Sequence, residues 1–344
     1  MRKIIVILAL ALLGATLLGS MPSNGRVGSV TGAAEDVGGK IAYTRGGAIW
    51  LYTGGREVRL TKGPADEQDK RDAMPAFSPD GTELAYIRFD EGFSDLYTLD
   101  VDDPDDPTAL TDYRPNGVET GDLGTGGQLG YAEQALWALY PAWSPDGEAI
   151  AWTHDRGIEY PGLFLIDPDG DNPRRVSFLD HSTQAIERVS WSPDGTQIAA
   201  SNYVGTGGKG QIWVLTLETD RWVDYTSAKD GAYDPAWSPD GEWIAFVQRE
   251  GTNHNIYVMR ADPDGWEGKG TEPTLYKLTT DGASRSPAWS PDGTKLAYIG
   301  LEDATFDLYA ADFSVTGTFP SLENIERLTD NANVEAQWGL SWGP

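Results

Sequence analysis

The sequence predicts an all-β chain, a six-bladed β-propeller of four-stranded antiparallel blades in which the C-terminal strand completes the N-terminal blade. Three observations predict it. A Ser-Pro-Asp-Gly run, each time opened by an aromatic residue (Phe77, Trp143, Trp191, Trp237, Trp289), occurs five times. Three other segments recur once per unit, six times each. The units are short β-branched and aromatic runs punctuated by Gly and Pro, the pattern of propeller blades.

Each unit opens on an innermost strand that ends at the aromatic residue, which packs between blades. In the turn that follows, Pro presets φ, Asp accepts a backbone hydrogen bond and Gly takes a positive φ. The repeated run is therefore masonry rather than a site. The second strand carries aliphatic-Ala-aromatic: Ile41-Ala42-Tyr43, Leu84-Ala85-Tyr86, Ile150-Ala151-Trp152, Ile198-Ala199-Ala200, Ile244-Ala245-Phe246 and Leu296-Ala297-Tyr298. Such continuous apolar runs fit a sheet covered on both faces, and the Ala leaves room for a ring from the next blade. The third strand holds an aliphatic-aromatic pair, as at Ile49-Trp50 and Ile256-Tyr257, and the last ends at pairs such as Leu60-Thr61 and Leu328-Thr329. The first unit lacks an innermost strand. The C-terminal run VEAQWGLSWGP places Trp338 about where that strand needs its aromatic residue, which closes the ring.

Tandem units reading PAWSPDG, IAF, IYVM and KLT resemble those of TolB-type β-propellers over roughly residues 39 to 344. The resemblance is to the propeller part only, without the TolB N-terminal domain. It implies an exported scaffold that binds a protein or peptide. The units also resemble the propeller of prolyl oligopeptidase-type enzymes, but the chain has no Gly-x-Ser-x-Gly nucleophile turn.

Residues 1–20 read as a signal peptide, with basic Arg2 and Lys3, an apolar run from Ile4 to Leu18 and small Gly19-Ser20. Residues 21–39 read as a flexible leader and 40–344 as the propeller, with an insert at 112–140. Export makes the location periplasmic, cell-surface or secreted. Apart from an uncleaved signal anchor, no stretch is long enough to span a membrane. The 344 residues include 13 Trp and 15 Tyr, ample for a large core. Net charge is −27, which makes nucleic acid a poor partner. The chain has no Cys, hence no disulfide or thiolate metal site.

Candidate binding residues lie on the face opposite the Ser-Pro-Asp-Gly turns, with the links and the turns between second and third strands. The insert carries Tyr131, Trp137 and Tyr140, with a short helix expected over 131–140. His154, His181 and His254 map to this face, near Arg156, Asp180, Arg249 and Asn253. Asp72, Glu187, Arg188, Asp234, Arg285 and Glu335 precede the inner strands and should rim the channel. The three His sit on different blades without paired spacing, so no metal is expected. No other cofactor is implied. GTGGKG at 205–210 lacks the helix that phosphate binding needs. DPDGDN at 167–172 starts like a calcium loop but lacks its later ligands, so a hairpin turn explains it.

The expectation is a monomeric, non-catalytic exported propeller that binds an envelope or extracellular protein or peptide. The alternatives are a polysaccharide lyase or hydrolase on the same scaffold, or a structural envelope component.

Overall fold

The computed structural model describes residues 37–63, 70–90, 92–113, 137–155, 162–176, 184–204, 209–261 and 273–344. The signal, residues 21–36 of the leader, most of the insert, and Tyr131, Arg156, Asp180 and His181 lie outside the described residues.

The described chain is built from antiparallel strands, with one short 3-10 turn at Ala336–Trp338. Four sheets have four strands each, and in one of them Leu340–Gly343 pairs antiparallel with Lys40–Arg45. The remaining sheet joins two such groups, Arg71–Phe77 through Thr108–Ala109 and Trp137–Trp143 through Arg174–Arg175, by a parallel bridge from Ser94 to Trp137. Each innermost strand packs beside the next, and Arg285–Trp289 lies against Leu340–Gly343.

Packing explains the repeated sequence. The second-strand Ala residues 42, 85, 151, 199, 245 and 297 are fully buried. Each shares a hydrophobic cluster with the innermost-strand aromatic residue of the following group: Phe77, Trp143, Trp191, Trp237, Trp289 and Trp342 respectively. A larger side chain in place of Ala would have to displace a ring from a close-packed interior. Indole N–H groups tie the groups together as well, Trp191 donating to Ala142 O at 3.1 Å and Trp289 to Ala236 O at 3.0 Å. Trp342, not Trp338, fills the aromatic position of the C-terminal strand; Trp338 belongs to the preceding 3-10 turn.

The Ser-Pro-Asp-Gly turns are five copies of one device. The Ser hydroxyl donates to the Asp carboxylate two residues on at 2.5–2.7 Å. The same carboxylate oxygen accepts the backbone N–H of Thr82, Glu148, Thr196, Glu242 or Thr294 at 2.9–3.1 Å. Gly follows at φ 71–77°, where a Cβ would be strained. The Ser hydroxyl holds Asp80, Asp146, Asp194 and Asp292 below the usual carboxylate range. These carboxylates are occupied by their own turns.

The fourth strands end in a second device. The hydroxyls of Thr61, Thr111, Thr226, Thr279 and Thr329 accept third-strand N–H groups at 2.9–3.0 Å. This turns the recurrent Thr into a cap on a backbone donor that the sheet would otherwise leave unpaired.

The helix expected over 131–140 is not formed at its described end, where Trp137–Trp143 is an innermost strand. Pro141 has no N–H to continue a helical ladder, and the chain bulges there instead.

Candidate functional site in the central channel

The innermost strands bulge at equivalent positions. Register slips between Ala73 and Ala76, Leu139 and Ala142, Glu187 and Val189, Tyr233 and Ala236, and Arg285 and Ala288. In four of these bulges a Pro occupies the position that cannot donate to the ladder. The residue opening each bulge has a left-handed backbone: Met74 at φ 58°, Tyr140 at 53°, Arg188 at 33°, Asp234 at 56° and Ser286 at 52°. Gly339, at 77°, holds the corresponding place before Leu340–Gly343. Strain of about 1–3 kcal/mol at each non-glycine position persists only because the surrounding sheets over-determine it.

These six positions line one end of an open cavity of about 420 Å³ between the innermost strands. Its other end is formed by Pro79, Pro145, Pro193, Pro239 and Pro291 of the Ser-Pro-Asp-Gly turns. The cavity is thus the half of the channel on the turn side, a location the sequence reading did not foresee.

Arg188 crosses the channel. Its Nε meets Asp234 Oδ1 at 2.7 Å, its Nη2 donates to Gln337 O at 2.5 Å, and its guanidinium lies 5.5 Å from the Tyr140 ring centre. The Ser286 hydroxyl lies 3.2 Å from Asp234 Oδ2 and 3.1 Å from Ala336 O, alternative acceptors for its one proton. Beside this bolt, burial pushes the Glu187 carboxyl up to about 7; Arg188 and the Tyr203 hydroxyl oppose the shift and Asp234 adds to it. Burial likewise raises the Tyr140 phenol.

Arg249, Asn253, His254 and Arg285 come together where the second strand Trp243–Glu250 turns into the third, Asn253–Arg260. His254 pairs across the strands with Arg249, and its Nδ1 lies 3.2 Å from Arg285 Nη2. Burial and the two neighbouring guanidinium charges push the imidazole down to about 4, so His254 is neutral and accepts from Arg285. The Tyr233 ring stands edge-on to His254 at 5.8 Å. This corner is on the channel mouth opposite the Ser-Pro-Asp-Gly turns. Elsewhere on that face Phe89 contacts both Trp137 at 6.2 Å and Trp338 at 5.2 Å.

Of the sequence-derived candidates, Tyr140, Arg188 and Asp234 meet inside the channel, while Arg249, Asn253, His254 and Arg285 meet at its mouth. Trp137 joins the aromatic group. His154 does not belong with them: it is 6% exposed, stacked 4.4 Å from the Tyr113 ring and edge-on to Phe164, with Nδ1 at 3.3 Å from Trp137 O. Asp72 is no rim residue either, because Arg88 across the strand pair holds it in a bidentate ion pair at 2.7 and 3.1 Å. Tyr233, Ser286, Gln337 and Gly339 were missed. The signal was present, since residues 74, 140, 188, 234, 286 and 339 each stand three places before the innermost aromatic residue.

The DPDGDN run is a hairpin turn whose carboxylates are used internally: Asp169 accepts the Asp171 N–H at 3.0 Å and Asp167 the Asn172 amide at 2.6 Å. Among the described residues no group of three or more His, Asp and Glu is placed to hold a metal ion. No described helix is long and apolar enough to cross a membrane.

Residues 159–299 match the family described as the TolB beta propeller domain. The uncharacterized peptidase YuxL of Bacillus subtilis (strain 168) is 24% identical over 226 residues, 54% of this chain and 31% of that protein. The protein TolB homolog of Chlorobium luteolum is 29% identical over 145 residues, 42% of this chain and 30% of that protein. The chain therefore spans less than a third of either relative's length. In fold, it is similar to the crystal structure of TolB from Acinetobacter baumannii, with TM-score 0.64 and 19% identity over 92% of this chain and 69% of the other. Residues 159–299 are thus similar to the TolB beta propeller domain, and the described chain shares the fold of TolB-type propellers.

Proposed function

We propose that the chain is an exported, non-catalytic six-bladed propeller, closed by its C-terminal strand, that binds an envelope or extracellular protein or peptide at the channel mouth opposite the Ser-Pro-Asp-Gly turns. The observation that carries this reading is convergence. Arg188, Asp234, Arg249, His254 and Arg285, from three different sheets, gather with Tyr140 around one end of the channel. Met74, Tyr140, Arg188, Asp234 and Ser286, all left-handed, form a strained ring beside it, as is common where a scaffold positions side chains for recognition.

The chemistry there is that of positioning. Arg188 and Asp234 neutralise each other, and His254 is held neutral between two arginines, so it is a poor proton carrier near pH 7. Likeness to TolB proteins supports binding rather than turnover, although a fold alone does not assign a function.

Site-specific photo-crosslinking tests the reading. A photoreactive residue replacing exposed Asn253 at the mouth should capture a discrete partner from the cell envelope. The same residue replacing exposed Asp169, on the opposite face, should not. Capture only from position 169, or from neither, removes the mouth as the binding face.

A further inference from the structure

We propose that the corner formed by Arg249, His254 and Arg285 recognises a carboxylate, and that the ligand taken at the channel mouth is an acidic peptide. This rests on the binding reading above and adds to it the chemistry of the partner.

The corner is an exception to the molecule's charge. The chain carries 53 acidic against 26 basic residues. Yet neither Arg249 nor Arg285 forms an ion pair with a carboxylate of the described residues. Arg249 instead spends its Nε on Gly251 O at 2.7 Å. Arg285 directs one nitrogen to His254, and its buried Nε has no partner. A guanidinium partly withdrawn from water without a counter-charge is costly to keep. A ligand carboxylate would relieve that cost, and guanidinium groups suit it because their planar fork matches its two oxygens.

The neighbours keep the corner positive. Asp230 accepts the Gly251 N–H at 2.9 Å and is flanked by Lys209 and Lys229. Asp281 accepts the Ala283 N–H at 2.7 Å and the Ser284 hydroxyl at 2.6 Å. Asp281 is thus turned to its own loop, while Asp230 is held on the Gly251 turn with Lys209 and Lys229 to balance its charge. His254 accepts from Arg285 and cannot compete for an anion as a carboxylate would. At physiological ionic strength the Debye length is about 8 Å, so this local balance outweighs the distant net charge.

A peptide fits better than an acidic polysaccharide. A uronate polymer presents carboxylates at a regular repeat and calls for cations strung along a groove. Here the two arginines stand in one corner, with Tyr233 beside them and the Phe89, Trp137 and Trp338 rings elsewhere on the same face. That mixture suits a chain in which acidic and apolar side chains alternate.

The test uses the full chain and a fluorescein-labelled eight-residue peptide alternating glutamate and leucine, blocked at both ends, followed by anisotropy. The expected result is binding at least about tenfold tighter than to the glutamine counterpart, with Arg285→Gln and Arg249→Gln each erasing about tenfold of that preference. Equal binding of the two peptides, an unchanged preference in both variants, or tighter binding of oligogalacturonate than of the glutamate peptide overturns the proposal. Should Arg285→Gln fail to fold, exposed Arg249 decides alone. If crosslinking at position 253 captures a partner while the glutamate preference is absent, only carboxylate recognition fails. If position 253 captures nothing, the binding reading itself fails.

Discussion

Gly339 stands against Arg188 so closely that a Cβ at position 339 would lie 2.0 Å from Arg188 Nη1. Arg188 can reach Gln337 O across the channel because this one member of the bulge ring has no side chain. Gly339 is also at φ 77°, a conformation that costs glycine little.

Gly339→Ala should therefore break the Arg188 bolt and destabilise the fold by about 2–4 kcal/mol, combining backbone strain with a lost charge-assisted hydrogen bond. In the background of Arg188→Ala the same change should cost less. A double-mutant cycle by denaturant unfolding checks this, and a coupling of about 1–3 kcal/mol is expected for groups in direct contact. Additive costs would mean that Arg188 does not depend on Gly339.

The Ser-Pro-Asp-Gly carboxylates should affect stability without affecting binding. Asp194→Ala removes hydrogen bonds to Ser192 and to the Thr196 N–H and hydroxyl. It should cost about 1 kcal/mol, with capture from position 253 unchanged. Loss of capture at full stability would give these turns a role in recognition.

The C-terminal strand should be needed by the whole ring. Trp342 is 8% exposed, shares a cluster with Ala297 and donates to Gly38 O at 2.8 Å. Trp342→Ala should cost about 3–5 kcal/mol, as for other buried aromatic residues. Deleting residues 338–344 should lower the thermal midpoint of the entire unfolding transition. A truncated chain that unfolds like the parent would sink ring closure by this strand.

Much of this architecture was legible because the repeat states it six times over. Turn residues, apolar second strands and the Ala that receives a ring all act locally, so each copy can be read without the others. The channel ring was not legible in the same way, because left-handed backbone at Met74, Tyr140, Arg188, Asp234 and Ser286 follows from bulges set by pairing between strands. The same cause misled the reading of Trp137 to Tyr140 as helical: a bulge shifts the alternation of a strand by one residue and so imitates a helical spacing. His154 was misplaced for a simpler reason. Its strand position gives its face of the propeller but not its burial, which depends on the Tyr113 and Phe164 rings.

The last prediction concerns pH, where Glu187 and His254 pull in opposite directions. Glu187 keeps its proton in the folded chain up to about 7, against 4.5 for the ordinary group. Between those values the folded state binds the extra proton, so Glu187 makes stability fall as pH rises, with the penalty fully present above 7. His254 is pushed from 6.5 down to about 4. Between those values the unfolded state binds the extra proton, so His254 makes stability rise with pH, and that contribution is lost as pH falls from 6.5 towards 4. The two slopes offset each other over most of that window. Glu187→Gln should unmask the His254 slope, leaving the variant more stable than the parent at pH 8 than at pH 4.5 by on the order of 2 kcal/mol. Arg285→Gln should have a different signature, raising the His254 pKa measured by NMR because one of the two charges that depress it is gone. Parallel pH–stability curves for the parent and Glu187→Gln would show that the carboxyl titrates in its ordinary range, and that the channel wall beside Arg188 is wetter than its packing implies.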